Sequence, residues 1–494
     1  MNILVLDIGT TSMRGVMYCG SKAVVKEIAC ETPCIYKKEG IVEQDPVIWL
    51  NGMQRICRQI QEEFAIDAIA VTAFRSSVIA VDRTGTPLLP GIMWQDTRNS
   101  GICRELQGFN PIIRKKTGAD LNTVFSGSRI TWIKRNYPDI YRKTYKMVTV
   151  ADFIIYHLTG RFATDYTYGS RSHLMNLHTL RWDDELCRIF EIDSSKLCEL
   201  TPPGSRVGYT TIEASKQFSI PHGIPVITSG GDQQCSAVGA GAWDYSTAVV
   251  NSGTGTFAVT VIEEVPENEL TSICNAASIP GKYILEANSL SGSAGFDWIC
   301  RLLSETGTQG KPDYKWINTL IEKVPPGSGG VSCIPHFSGC GTRAWNPQAR
   351  AAFTGISLDT GRGELIRAVL EGIAVETKKN LQLLKGDGAA FETIYVSGGM
   401  TKSEVYNQIQ ADVYNCPVVS LENPQATAFG AYIGAGVALA VFSDVKSAFQ
   451  SGKWEETRTV YEPNREAAAL YEEIETRTEL LFQYMRSMES SRRV

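Results

Sequence analysis

The chain has 494 residues, 43% of them hydrophobic and 20% charged, with a formal net charge of -5. That length exceeds one ordinary core and predicts two or three domains. The weakly acidic balance leaves no electrostatic footprint for nucleic acid or an anionic membrane, so neither is expected as a partner. The thirteen cysteines are scattered and form no CxxC pair, which favours free thiols in a reducing cytoplasm over a disulfide framework or zinc site. No basic segment followed by an apolar one opens the chain, and no run of about 20 apolar residues occurs. A cytoplasmic protein without leader or membrane span is therefore the expectation.

In chain order, Ile3–Asp7 reads as a strand broken by Gly9-Thr10-Thr11, with further strands at Arg14–Tyr18 and Ala23–Cys30. Asp45-Pro46 opens a helix reaching about Glu63, Asp45 being a good N-cap and Pro46 suiting the first helical position. Ile66–Thr72 and Val78–Val81 read as strands. This is a mixed α/β layout rather than a strict βαβ series. Gly101 to Arg206 reads as a helix-rich elaboration of the first domain. Val226–Ser229 leads into Gly230-Gly231-Asp232-Gln233-Gln234 and a small-residue helix. A second unit then echoes the start of the chain: strand Thr247–Asn251, turn Ser252–Gly255, strand Thr256–Val261. A patterned helix spans Gly363 to about Leu384. Thr393–Val396, a Gly398-Gly399 turn, a helix from Ser403 to Tyr414 and a strand at Pro417–Leu421 follow. Asn464–Met488 is predicted to be a charged helix lying on the surface.

The two Gly/Thr turns, Asp7-Ile8-Gly9-Thr10-Thr11-Ser12 and Asn251-Ser252-Gly253-Thr254-Gly255, carry chemistry as a pair. Each exposes backbone N–H groups and hydroxyls suited to phosphate, and one from each half grips a polyphosphate from both sides. A plain hairpin explains either turn alone. Neither GxxxxGK[ST] nor GxGxxG is present. Asp7, at the end of its strand, suits Mg2+ held through water. Asp232 is open to two readings: a helix cap, or a general base taking a proton from an attacking hydroxyl. Ser397-Gly398-Gly399-Met400 is either a site where a flat ring approaches the backbone or a tight strand-to-helix connection.

Ten stretches occur in one order: LDIGTTSMRG (6–15), VEQDP (42–46), GIMWQDTR (91–98), FSGSRITWI (125–133), LTGRFATDYT (158–167), HTLRWDD (178–184), GGDQQCSAVGAG (230–241), NSGTGTF (251–257), GGM (398–400) and QATAFGAY (425–432). Together they resemble the FGGY carbohydrate kinase family, which includes glycerol kinase, xylulokinase and gluconokinase, from Leu4 to about Phe442.

The resemblance implies two RNase-H-like, actin-like ATPase domains, divided here as 1–245 and 246–494, with ATP and substrate in the cleft between them. It implies Asp232 as catalytic base, Asp7 near Mg2+, and Thr10, Thr11 and Arg14 in the first phosphate loop. Thr254 falls in the second loop, and Ser293, Gly399 and Ser403 on the nucleotide side. Arg75, Trp94, Asp232, Gln233 and Phe257 match residue types that glycerol kinase places around its polyol. Ser76 and Val124 depart, standing where glycerol kinase has a glutamate and a tyrosine. A pocket that loses hydrogen-bonding groups and gains room predicts an acceptor larger than glycerol: a four- to six-carbon ketose, polyol or sugar acid. The alternatives are glycerol kinase proper, a non-metabolic actin-like ATPase, and a sugar-binding regulator without catalysis. WQDTR and GGDQQ argue against the second, and the presence of both Asp7 and Asp232 against the third. Because family members are often dimers or tetramers, a homodimer is one expectation for the assembly.

Overall fold

The computed structural model describes residues 1–20, 23–267, 269–303, 312–346, 348–421, 425–452 and 457–491. The opening apolar run forms β1 (Asn2–Ile8) and returns through the Gly/Thr turn as β2 (Ser12–Cys19), followed by β3 (Ala23–Glu31). In α1 (Val47–Gln61) the Asp45 carboxylate accepts the Val47 N–H at 3.0 Å, so Asp45 caps the helix. Trp49, Met53, Ile56 and Ile60 recur at helical spacing and are fully buried in one core with β1 and β2. β4 (Ala68–Ala73) lies parallel to β1, with Asp7 opposite Thr72. The following 130 or so residues are helix-rich as expected; they include α2 (Ser126–Asn136) and α3 (Val150–Thr159). β5 (Ser205–Tyr209) and β6 (Pro225–Gly231) complete a sheet ordered β5-β6-β4-β1-β2-β3, and α4 (Asp232–Gly239) starts where β6 stops.

The second half repeats this plan. It includes β7 (Thr247–Ser252), β8 (Thr256–Ile262), β9 (Ile273–Ala276), β10 (Tyr283–Ser289), α5 (Ser293–Leu303), α6 (Arg362–Gly386), β11 (Thr393–Ser397), α7 (Glu404–Tyr414), β12 (Val418–Ser420), α8 (Ala426–Ala438), β13 (Thr459–Tyr461) and α9 (Arg465–Ser491). Its strand order is β9-β10-β8-β7-β11-β12-β13. In each sheet the first strand is antiparallel to the second and parallel to a strand reached through a helix: β1 with β2 and β4, β7 with β8 and β11. The echo between the two Gly/Thr turns is thus a repeat of topology.

A single buried cluster joins Val5 and Ile227 of the first sheet to Val249, Val261 and Ile284 of the second through α4 and α8. Tyr18 of β2 stacks on Tyr432 of α8 at 4.2 Å, so a helix from late in the chain packs on the first sheet. The crossing of α4 and α8 depends on glycine. A Cβ at Gly239 would lie 1.9 Å from the Ala426 carbonyl oxygen, and one at Gly430 1.9 Å from that of Cys235. Neither backbone can yield as a side chain does. Gly239→Ala is therefore expected to cost about 3 kcal/mol, the upper end for overpacking, read as a lowered calorimetric melting temperature or loss of soluble protein.

The expectation that the C-terminal helix lies on the surface is met only on its outer side. Tyr471, Ile474 and Phe482 of α9 are buried. Beneath it, Glu376 of α6 faces His336 Nε2 at 3.4 Å and Arg343 Nε at 3.5 Å, while Glu479 of α9 binds Arg343 and, at 2.7 Å, Lys379. His336, Cys340 and Glu376 offer ligand atoms within 4.8 Å of one another. The Arg343 guanidinium already places positive charge beside the same Glu376 oxygen, so the set works as an ion-pair brace. All thirteen cysteines are free and ten are buried. Among the described residues no helix is long and apolar enough to cross a membrane.

Candidate active site

The first half of the site gathers at the carboxyl ends of parallel strands, where open α/β sheets place their ligands. β1, β4 and β6 are adjacent, with Ile8 paired to Ala73 and Ala73 to Gly231. Asp7, Arg75 and Asp232 emerge there together, although the sequence separates them widely. Asp232 is the first residue of α4. Its Oδ1 accepts the Gln233 N–H at 2.8 Å, but the N-cap position is Gly231 and no side chain caps the helix, so the capping reading is not met; the Asp232 side chain keeps 23% exposure. Arg75 Nε stands 3.8 Å from that oxygen, too far for a hydrogen bond. Burial raises the Asp232 pKa to about 6, against the pull of Arg75 and the Gln233 N–H and with added repulsion from Asp7 and Glu286. The carboxylate is thus ionised near neutral pH and basic enough to accept a proton.

Asp7 is buried, and Arg14 Nη2 holds it at 2.7 Å. Burial nevertheless keeps its pKa above the usual carboxylate value. In the adjoining turn Thr11 is exposed, while the Thr10 hydroxyl accepts the Trp94 indole N–H at 3.0 Å. Gln44, from the VEQDP stretch, donates to the Thr10 carbonyl at 2.9 Å and so fixes the turn. Trp94 therefore bridges the expected sugar side and the expected phosphate side.

Ser76, Trp94 and Val124 are held together by a residue that sequence reasoning did not single out. Arg129 of α2 is fully buried and donates to the carbonyls of Ser76 at 2.8 Å, Val124 at 2.6 Å and Trp94 at 2.6 Å. Its only signal was its place inside FSGSRITWI. Ser76 has φ +67°, a left-handed conformation unusual for a side-chain residue. Its buried hydroxyl turns to the Arg171 carbonyl at 3.4 Å. Gln233, in the first turn of α4, is half-buried.

In the second half β7 and β11 end side by side, Asn251 opposite Ser397. The turn after β7 seats on the start of α5, where the Gly253 carbonyl accepts the Ser293 N–H at 2.8 Å, leaving Thr254 exposed at the tip. Gly398 has φ +99°, and a Cβ there would meet the Ser252 carbonyl oxygen at 2.4 Å, so the chain can pass only as glycine. Gly399 beside it is exposed. The structure thus brings Thr254, Ser293 and Gly399 to one strand end. Ser403 caps α7 through the Tyr406 N–H at 3.4 Å, and its hydroxyl donates to Asn318 at 3.0 Å. Phe257 is half-buried on β8, opposite Asn288 of β10. Glu286 of β10, also not foreseen, reaches Arg75 Nη1 at 3.4 Å. In the sequence it shows only as a charge interrupting an apolar run.

Models of the N-terminal and C-terminal domains of the FGGY family of carbohydrate kinases match residues 2–239 and 248–439. The chain belongs to the FGGY family. Glycerol kinase 2 of Thermotoga maritima is 33% identical over 463 residues, which cover 90% of this chain and 91% of that protein. The gluconate kinase structure from Lactobacillus acidophilus superposes with a TM-score of 0.89 at 24% identity, covering 99% of this chain and 98% of that one. Ligand-bound xylulose kinase from the same organism gives 0.88 at 25% identity, again covering 99% and 98%. The expected actin-like ATPase fold of two α/β domains is thereby established. This FGGY chain is a carbohydrate kinase, a phosphotransferase of a family that takes ATP as phosphate donor. The three relatives are named for three different acceptors, so they leave the acceptor of this chain undetermined.

Proposed function

We propose that this FGGY kinase phosphorylates a hydroxyl of a sugar, polyol or sugar acid larger than glycerol, with Asp232 as general base. The observation that carries the reading is the Asp232 carboxylate: raised in pKa to about 6, partly open, and 3.8 Å from the nearest arginine nitrogen. A base for an alcohol needs a free lone pair and a pKa near the working pH. Arg75, Ser76, Trp94, Val124, Gln233 and Phe257 line the acceptor side in this reading. Thr10, Thr11 and Arg14 meet the phosphates from one half and Thr254 from the other, with Ser293, Gly399 and Ser403 toward the nucleoside. The larger acceptor is favoured because the Ser76 hydroxyl is buried and directed at a carbonyl, and Val124 has nothing to donate.

Asp7 fits Mg2+. It is a hard oxygen ligand near the end of β1, just ahead of the first Gly/Thr turn, and its contact with Arg14 favours holding the ion through water. When bound, Mg2+ neutralises charge on the phosphates. We place the domain division at 1–245 and 246–494, and the protein in the cytoplasm, in keeping with its free thiols.

A panel of glycerol, erythritol, ribitol, pentuloses, hexuloses and gluconate in a coupled ADP-release assay tests the reading. At least one four- to six-carbon acceptor is expected to exceed glycerol in kcat/KM by about tenfold or more. Glycerol as the best acceptor overturns the size assignment. ATP turnover indifferent to every acceptor returns the non-metabolic ATPase.

A further inference from the structure

Arg75 connects the two halves of the molecule. Its Nε faces Asp232 Oδ1 at 3.8 Å in the first half, and its Nη1 faces Glu286 Oε2 at 3.4 Å in the second. Glu286 sits in β10 opposite Val259 of β8 and Ile273 of β9, a buried carboxylate in an apolar ladder. Such a group is retained only with a partner, and Arg75, which partners it, lies just beyond β4 in the other half, with Arg171 adding a second attraction.

We infer that Glu286 is a positioning residue for phosphoryl transfer: it draws the Arg75 guanidinium across the cleft and so keeps Asp232 free to take the proton of the acceptor hydroxyl. The inference rests on Asp232 being the base. A guanidinium presents five donors in a rigid fork. Without Glu286, a shift of about 1 Å closes the gap to Asp232 into a direct ion pair. A carboxylate paired in that way drops by about 1–3 pKa units and commits its lone pairs. The charged groups facing Asp232 are Arg75, Asp7 and Glu286, with buried Arg171 beyond them. Arg171 is held by Asn275 Oδ1 at 3.4 Å and by the Phe125 ring at 4.2 Å. Tyr168 and Cys235 stay neutral, because burial raises both. Arg75 meets Glu286 across the halves at 3.4 Å, and Arg171 attracts the same carboxylate from beyond it. Any opening that parts β10 from β4 releases Arg75 onto Asp232. The base is then disarmed while water has access, which restrains transfer of the phosphoryl group to water.

The test is the pH dependence of kcat/KM for the fastest acceptor of the panel. The wild-type acid limb is expected near the Asp232 pKa of about 6. Glu286→Gln is expected to move that limb down by about one pH unit and to lower kcat at neutral pH by about tenfold, with the KM for ATP held within about twofold. A limb that stays in place or rises overturns the proposal. Should the glutamine variant not fold, Glu286→Asp decides. Its carboxylate is withdrawn by one methylene, so the limb must move the same way by a smaller step, and a fixed limb again overturns the proposal. Asp232→Asn, assayed in parallel, separates the two claims. If it turns over normally, the base assignment fails. If it is inactive while Glu286→Gln keeps both limb and kcat, the Glu286 role alone fails.

Discussion

Asp232→Asn is expected to lower kcat by about two to four orders of magnitude and, at the same time, to raise the melting temperature. The loss follows from the missing lone pair: an amide of the same shape keeps the helix start and the approach of Arg75, yet accepts no proton. The gain follows from the same burial that makes the residue a base. Its folded pKa of about 6 lies above the ordinary carboxylate value, so the ionised form is less comfortable in the folded state than in the unfolded chain. For a raised carboxylate the penalty is absent below about pH 4, grows as pH climbs toward 6, and is complete above it. At neutral pH it amounts to about 3 kcal/mol, which the neutral amide relieves, for an increase of roughly 6 °C. The Asn variant should therefore outlast wild type in calorimetry at pH 7.5 and lose that advantage near pH 4. Turnover close to wild type would remove Asp232 from the mechanism, whatever the melting curves show.

The strands flanking the two Gly/Thr turns were legible because their apolar runs stop at residues that cannot continue a strand, and Asp45 announced its helix by capping chemistry. What the sequence could not display are roles that exist only between distant segments. Arg129 looks like any basic residue on a helix until its guanidinium is seen under three carbonyls from residues 76, 94 and 124. Glu286 looks like a charge spoiling a strand until Arg75 arrives from the other half. Gly239 and Gly430 lie within quoted motifs, yet only the crossing of α4 and α8 explains why no Cβ fits at either. β9 and β10 escaped notice for a different reason: the short, polar-dotted Ile273–Ala276 has weak alternation, and a Ser-Ile-Pro-Gly turn separates it from its partner. In the site, resemblance supplied the acceptor-side residues one by one. The hydrogen bond from Trp94 to Thr10, which ties the acceptor side to the first Gly/Thr turn, required the fold.

The largest loss of stability is expected from Glu376→Gln. Burial alone would raise the Glu376 pKa, but the His336 ring 3.4 Å away and the charges of Arg343 and Lys379 outweigh it and hold the carboxylate at about 2. In return, against its own burial, His336 is carried up to about 9 by Cys340 and Glu376. Removing the shared anion leaves the buried imidazolium without its carboxylate and the guanidinium with Glu479 alone, and stripping one partner from such a set costs about 3–5 kcal/mol. That corresponds to a melting temperature lower by roughly 10 °C, with α9 the first element to loosen because its Phe482 packs on both His336 and Arg343. The pH dependence identifies the mechanism. Stability from a raised histidine is complete below about pH 6.5 and is lost as pH climbs through about 9; stability from a lowered glutamate is complete above about pH 4.5 and is lost as pH falls through about 2. The gap between wild type and variant should therefore be widest between about pH 4.5 and 6.5 and narrower at pH 10, where only the Arg343 and Lys379 attractions survive. Calorimetry of both proteins at pH 6 and pH 10 reads this directly. An equal gap at the two values would mean that His336 is neutral in the folded protein and that the brace is made by Arg343 and Lys379.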